Sequence, residues 1–205
     1  MIVALDGPAA AGKGTLAKRL AAHFGVPHLD TGALYRAVAS RSMRTGETPE
    51  AAAATFRIED MDAPDLRSGA VGAHASKVAV IPAVRAALLE FQRNFARRPG
   101  GAVLDGRDIG TVVCPWPETV KIYVTASPEA RAKRRFNELL ARGETPIYAA
   151  VFADLAERDR RDSERAEAPL KPAPDADVLD TSDLDPDAAF RMALGLISAK
   201  TRGRG

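Results

Sequence analysis

Gly7-Pro8-Ala9-Ala10-Ala11-Gly12-Lys13-Gly14-Thr15 is the stretch that decides the fold. An apolar run, Ile2-Val3-Ala4-Leu5, precedes it, and a helix-like segment from Leu16 to Phe24 follows. A strand, a glycine-rich loop and a helix in that order form a cradle for a triphosphate. Backbone N–H groups and the positive end of the helix attract phosphate oxygens, and Lys13 adds a mobile cation. Glycine is needed where a Cβ would clash with the turn or hold the phosphate away.

Working outward, short apolar runs alternate with longer helical patterns. The strands expected are Ile2–Leu5, Pro27–Leu29, Ala102–Leu104, Thr119–Val124 and Val178–Leu179. Helices are expected over residues 13–24, 32–43, 75–97, 128–142, 147–165 and 186–199. Ser127-Pro128-Glu129 and Asp185-Pro186 each place a capping side chain before a proline at the first helical position. The alternation predicts an α/β fold: a P-loop three-layer sandwich with a five-stranded parallel sheet. Its ligands would gather at the carboxyl ends of the strands. Asp6, Asp30, Asp105 and Asp180 each follow an apolar run, and Asp180 reads equally as a turn residue.

A chain of 205 residues fits one domain over 1–205. Residues 45–75 break the rhythm with an alanine run at 51–54 and the acidic Glu59-Asp60-Met61-Asp62. They read as an insertion between the second and third strands, or equally as a partly mobile loop. The tail from Lys200 to Gly205 is small and basic and reads as frayed.

Composition is that of an ordinary soluble protein, 46% apolar and 27% charged, with a net charge of only +2. Neither nucleic acid nor a membrane surface is called for by that charge. Arginine is the majority of the 29 basic residues, which fits either coding bias or phosphate-gripping forks. Cys114 is the only cysteine, so no internal disulfide can form and a reducing cytoplasm is expected. It reads as a small buried hydrophobe. His23, His28 and His74 are scattered and suggest no metal cluster. The first strand starts at residue 2, so no signal peptide is expected, and no apolar run approaches the roughly 18 residues of a membrane span.

Two further motifs sit after strands. Asp30-Thr31-Gly32-Ala33-Leu34-Tyr35-Arg36 places Tyr35 and Arg36 on the first turns of a helix capped by Asp30 or Thr31; alone it reads as a routine helix start. Asp105-Gly106-Arg107-Asp108-Ile109-Gly110-Thr111 puts an Asp at a strand end beside the phosphate loop, a place that often governs a magnesium shell. A surface turn has no need of an arginine between two acids there. On the helix after Tyr148, the apolar stripe Tyr148, Val151, Phe152, Leu155 continues into Arg158, Arg161, Asp162 and Arg165. An Asp three or four residues from two arginines can hold both forks, though a solvated ladder has the same pattern. Asp159 and Arg160 lie off this face and read as surface charges.

Taken together, Gly7–Thr15, Asp30–Arg36, Ser76–Arg85, Asp105–Thr111 and Glu157–Arg165 followed by Ala168-Pro169-Leu170 resemble the bacterial cytidylate kinases, in that family's order. The resemblance implies ATP-dependent phosphorylation of CMP and dCMP, with Mg²⁺, by a cytoplasmic monomer. By position, Gly7, Pro8, Ala9, Ala10, Ala11, Gly12, Lys13, Gly14 and Thr15 would hold the ATP phosphates, with Arg131 and Arg134 as further ATP contacts. Arg36, Arg107 and Arg165 would grip the acceptor phosphate, with Thr31 and Tyr35 nearby. Ser76, Arg85 and Asp108 would read the cytosine edge, and Arg158 and Asp162 would face the sugar. Lys13, Arg107, Arg158 and Arg165 would be the catalytic set, with no residue assigned to the metal. Residues 45–82 would be a small CMP-binding insertion and 128–165 a helical lid hairpin with Arg142–Pro146 at its tip. Common members carry a longer insertion with its own small sheet, of which Leu66-Arg67-Ser68 keeps only the end.

A GTPase switch would need Asn-Lys-x-Asp and Asp-x-x-Gly, and neither string occurs. A nucleic-acid binder would need more net charge and interleaved aromatics. A kinase of the same fold acting on another acceptor is the remaining alternative.

Overall fold

The computed structural model describes residues 1–202. Its core is a five-stranded, all-parallel sheet in the order β2-β3-β1-β4-β5. The strands are β1 (Ile2–Asp6), β2 (His28–Asp30), β3 (Ala102–Gly106), β4 (Val120–Thr125) and β5 (Asp177–Asp180). All five expected strands are present, their ends shifted by a residue or two.

Alternation along the strands builds two cores, one on each face. Val3, Leu5, Val103, Val120, Ile122 and Val124 face α1 (Lys13–Phe24) and the last helix, α8 (Pro186–Arg202), through Leu16, Leu20 and Ile197. Ala4, Ala102 and Leu104 face the opposite layer, through Leu34, Val38 and Leu88. Each fully buried Leu or Ile in these layers contributes about 2 kcal/mol. Cys114 lies in the second layer, fully buried, and that burial pushes its thiol up to about 12.

The second layer holds α2 (Thr31–Thr45), α3 (Pro49–Ala54), α4 (Gly69–Val78) and α5 (Pro82–Ala96). Asp30 caps α2 by accepting from the Ala33 amide, and Ser68 caps α4 by accepting from Val71. Residues 45–82 are largely helical, with a short 3-10 turn at Ile58–Asp62 and no strand. Ala52, Ala53, Val71, Ala75 and Val78 bury themselves in the same core as the sheet. One helix over 75–97 was the sequence expectation; the chain instead breaks into α4 and α5. Pro82 cannot donate its nitrogen and forces Ile81 into an extended conformation, so a new helix starts there.

Register places the functional ends together. Asp30 lies opposite Asp105, and Asp6 lies opposite Gly106. The remaining helices, α6 (Pro128–Ala141) and α7 (Tyr148–Glu164), form a hairpin over that edge. Ala132, Val151 and Leu155 of the hairpin pack on Ala9 of the phosphate loop. At the tip, Arg142 reaches across and donates to the Arg67 carbonyl, 3.0 Å away.

Candidate active site

The glycine-loop side is shaped by backbone. Gly7 has φ +146°, and a Cβ there would run into the Val124 carbonyl, so only glycine lets the loop settle on β4. Ala10 and Gly12 also adopt left-handed conformations, φ +60° and +87°. No side chain caps the start of α1. Its first N–H groups therefore have no side-chain acceptor and point toward the loop.

Lys13 is buried and donates to the Pro8 carbonyl at 2.6 Å, folded back on its own loop. Burial and the nearby Arg107 guanidinium lower its pKa to about 7, against the pull of Asp105 and Asp6. Arg131, also buried, donates to Ala126 at 3.1 Å and to the Ala9 carbonyl at 3.3 Å. Arg134 donates to the Thr181 hydroxyl at 3.0 Å and to the Thr181 carbonyl. The Thr181 hydroxyl lies 3.1 Å from the Ala11 carbonyl. Both arginines are thus anchored beside the phosphate loop.

Two carboxylates support the floor. Asp6 accepts from the Ile109 and Gly110 amides at 2.7 Å each. A π-helical turn at Ile109–Val113 winds around it, and burial raises its pKa to about 6 despite those bonds. Asp105 contacts His28 Nε2 at 2.6 Å, and its carbonyl accepts from the Thr31 hydroxyl at 2.9 Å. A Cβ on Gly106 would overlap that hydroxyl, which explains the glycine. The other Asp105 oxygen faces Gly14 at the mouth of the cradle. A single buried carboxylate there suits Mg²⁺, which keeps most of its waters and takes one or two protein oxygens beside phosphate.

The facing side is built from side chains on separate elements. Arg107, after β3, donates from Nε to Asp162 of α7 at 2.7 Å. Asp162 is held below its ordinary range by Arg107 first, then Arg158 and Arg165, against its burial. Arg85 of α5 pairs with Asp108 and donates to the Tyr35 hydroxyl at 3.4 Å. Arg165 sits 3.6 Å from the other Asp108 oxygen. Ser76 donates its proton to the Ala73 carbonyl at 2.9 Å and accepts from Arg161 at 3.1 Å. Arg36 is looser, 4.0 Å from Asp30 and partly exposed. Arg158 is the outlier: its Nε is buried with no hydrogen-bond partner. Burial, then Arg107, lowers it to about 10.

Arg85, Arg107, Arg158 and Arg165 therefore face two buried carboxylates, Asp108 and Asp162. Such a surplus of buried cation is costly unless an anion joins it.

The family model described as cytidylate kinase matches residues 3–62 and 48–197 of this chain. The chain is 58% identical to a cytidylate kinase of Methylocella silvestris, over 97% of this chain and 94% of that one. It is 57% identical to a cytidylate kinase of Methylobacterium sp. (strain 4-46), over the whole of both. The chain belongs to the cytidylate kinase family. A crystal structure of an uncharacterized protein from Eubacterium ventriosum shares the fold, with a TM-score of 0.60 at 16% identity over 97% of this chain and 98% of that one. With the Methylobacterium family member matched end to end over 211 positions, the compact 45–82 region is not peculiar to this chain.

Against this family background, the structure brings Tyr35, Ser76, Arg85, Arg107, Asp108, Arg158, Asp162 and Arg165 together around one cleft. Thr31 is at the cleft floor, but its hydroxyl is committed to the Asp105 carbonyl. Three contacts were invisible in the sequence. His28, read as scattered, orients Asp105. Arg161 reaches Ser76. Asp159, read as a surface charge, pairs with Arg131 at 2.7 Å. Its partner lies 28 positions earlier, and only the packing of α6 on α7 joins them. Arg160 is an exposed ladder residue between Glu157 and Glu164, as its position off the face predicted.

Proposed function

We propose that this chain transfers the terminal phosphoryl group of ATP to CMP or dCMP, giving the diphosphate and ADP. The observation that carries the reading is a cluster of four arginines that share only two buried carboxylates, Arg158 Nε being left without a hydrogen-bond partner, beside a glycine loop that runs into a buried lysine. The loop Gly7–Thr15 and Lys13 would hold the donor phosphates, with Arg131 and Arg134 at their flank. Arg36, Arg107 and Arg165 would hold the acceptor phosphate, while Arg158 lies between the two sites.

Donor and acceptor phosphates repel one another, so the arginines' task is to hold them in line and absorb the charge that spreads in transfer. No protein nucleophile is needed, because the acceptor phosphate oxygen attacks. The lid hairpin over 128–165 would exclude water and so spare ATP from hydrolysis. Asp105 would be the residue beside a bound Mg²⁺, whose contribution would be to neutralise donor-phosphate charge.

Base selection follows from hydrogen-bond direction. The Ser76 proton is spent on the Ala73 carbonyl and one lone pair accepts from Arg161, so its second lone pair remains for an N–H donor. Asp108 is likewise an acceptor, oriented by Arg85. Acceptors suit the exocyclic amine of cytosine and oppose the carbonyl oxygen of uracil. Residues 45–82 would form the acceptor-binding region, and the protein would act as a cytoplasmic monomer.

Incubation with Mg-ATP and a panel of nucleoside monophosphates tests the reading through ADP formation. CMP and dCMP should be used far faster than UMP or AMP. Faster use of UMP or AMP would remove Ser76, Arg85 and Asp108 from base recognition.

A further inference from the structure

Helix α7 carries two carboxylates, Asp159 and Asp162, that reach to opposite sides of the cleft. Asp162 binds Arg107 on the acceptor side. Asp159 binds Arg131 on the donor side, 2.7 Å from its Oδ2. The Arg131 guanidinium is then held on three sides, by Asp159 and by the Ala9 and Ala126 carbonyls. Two of those holds are neutral backbone oxygens; the carboxylate is the charged one, and an opposite charge this close steers a guanidinium more strongly than a neutral oxygen does. The second Asp159 oxygen is buried and makes no hydrogen bond, so the ion pair with Arg131 is the contact that engages this carboxylate. The contact sits beside the apolar seam where Ala9 meets Val151 and Leu155, so the ion pair and the seam fix the same piece of loop to α7.

We propose that Asp159 is a positioning residue for the donor nucleotide. It aims the Arg131 guanidinium at the phosphate loop, as Asp162 aims Arg107 at the acceptor. One helix thereby sets the cations of both sites, through two carboxylates less than a turn apart. The inference rests on the kinase reading, because it takes the ligand of the loop to be ATP.

The test is direct calorimetric binding of ATP without monophosphate to wild type, Asp159→Asn and Asp159→Glu, with KM for ATP and for CMP measured alongside. Binding and turnover by the wild type judge the kinase reading separately. Asp159→Asn should weaken ATP binding and raise its KM about tenfold, the size of one lost partly buried ion pair, with KM for CMP within about twofold of wild type. Asp159→Glu keeps the charge and should recover part of the loss. Unchanged ATP affinity in Asp159→Asn, or equal losses for both nucleotides, would overturn the inference while a working wild type leaves the kinase reading standing. Should Asp159→Asn not fold, the same ATP-against-CMP split in Asp159→Glu, smaller in size, decides the matter.

Discussion

The two halves of the cleft, as proposed, would bind phosphate by different means. The donor half is a contiguous run of nine residues whose backbone would do the binding, and its geometry is set by where glycine is allowed. The acceptor half is a set of guanidinium groups from α2, α5, the β3 loop, α7 and the residue after it, of which Arg85, Arg107 and Arg165 are paired with carboxylates distant in the chain. Backbone sites survive side-chain loss; side-chain sites fail one arginine at a time. The lesson is that the donor half is robust in shape and fragile at one lysine, whereas the acceptor half is fragile wherever a buried ion pair can be split.

Removing Lys13 should have the largest effect on turnover. Lys13→Met is expected to lower it by about 10³-fold or more, in line with loss of one cation at the transferring group. Stability should not fall with it. Lys13 has a pKa of about 7 in the fold against 10.5 when free, so the fold disfavours its protonated form. That penalty is complete below about pH 7 and vanishes as pH rises toward 10.5. The unfolding midpoint of Lys13→Met should therefore match or exceed wild type at neutral pH, with the gap closing above it. A clear loss of stability at neutral pH would mean that the lysine serves the fold.

Arg107→Ala should come next, and should strike both function and fold. We expect kcat/KM for CMP to fall about 10²-fold while KM for ATP barely moves. Asp162 is left buried without its main partner, costing about 2–4 kcal/mol in urea unfolding. Equal losses for both nucleotides would assign Arg107 to the fold alone and erase the contrast between the halves.

A smaller effect is expected at the base pocket. Ser76→Ala and Asp108→Ala should each narrow the preference for CMP over UMP by about tenfold, read from the ratio of kcat/KM values. Unchanged ratios would move base recognition to other residues.

The smallest effect sharpens the donor half alone. Phosphate near Lys13 favours its charged form, so ATP binding slightly above neutral pH should take up a fraction of a proton. Calorimetry in buffers of different ionisation enthalpy would detect it. Proton release would place ATP away from Lys13.

Much of this was legible in the sequence because it is local. The loop Gly7–Thr15, the capping Asp30 and Ser127, and the strand ends at Asp6 and Asp105 follow from neighbours in the chain. The helix break at Pro82 is also local, but the apolar pattern continues across it, so periodicity alone joins the two helices into one. The helical character of residues 45–82 was harder, because its alanines gain stability only by burial against α2 and α5.

By itself the sequence determined which residue types stand at the strand ends: glycines where the chain must turn left-handed, and arginines in excess of nearby acids. Only the tertiary structure decided which arginine each carboxylate serves. Asp159 with Arg131, Asp162 with Arg107, Asp108 with Arg85 and His28 with Asp105 are all pairs across elements. The reason is range. Backbone conformation is fixed by adjacent residues, but a salt bridge forms only when packing brings two side chains within about 4 Å and excludes water from between them.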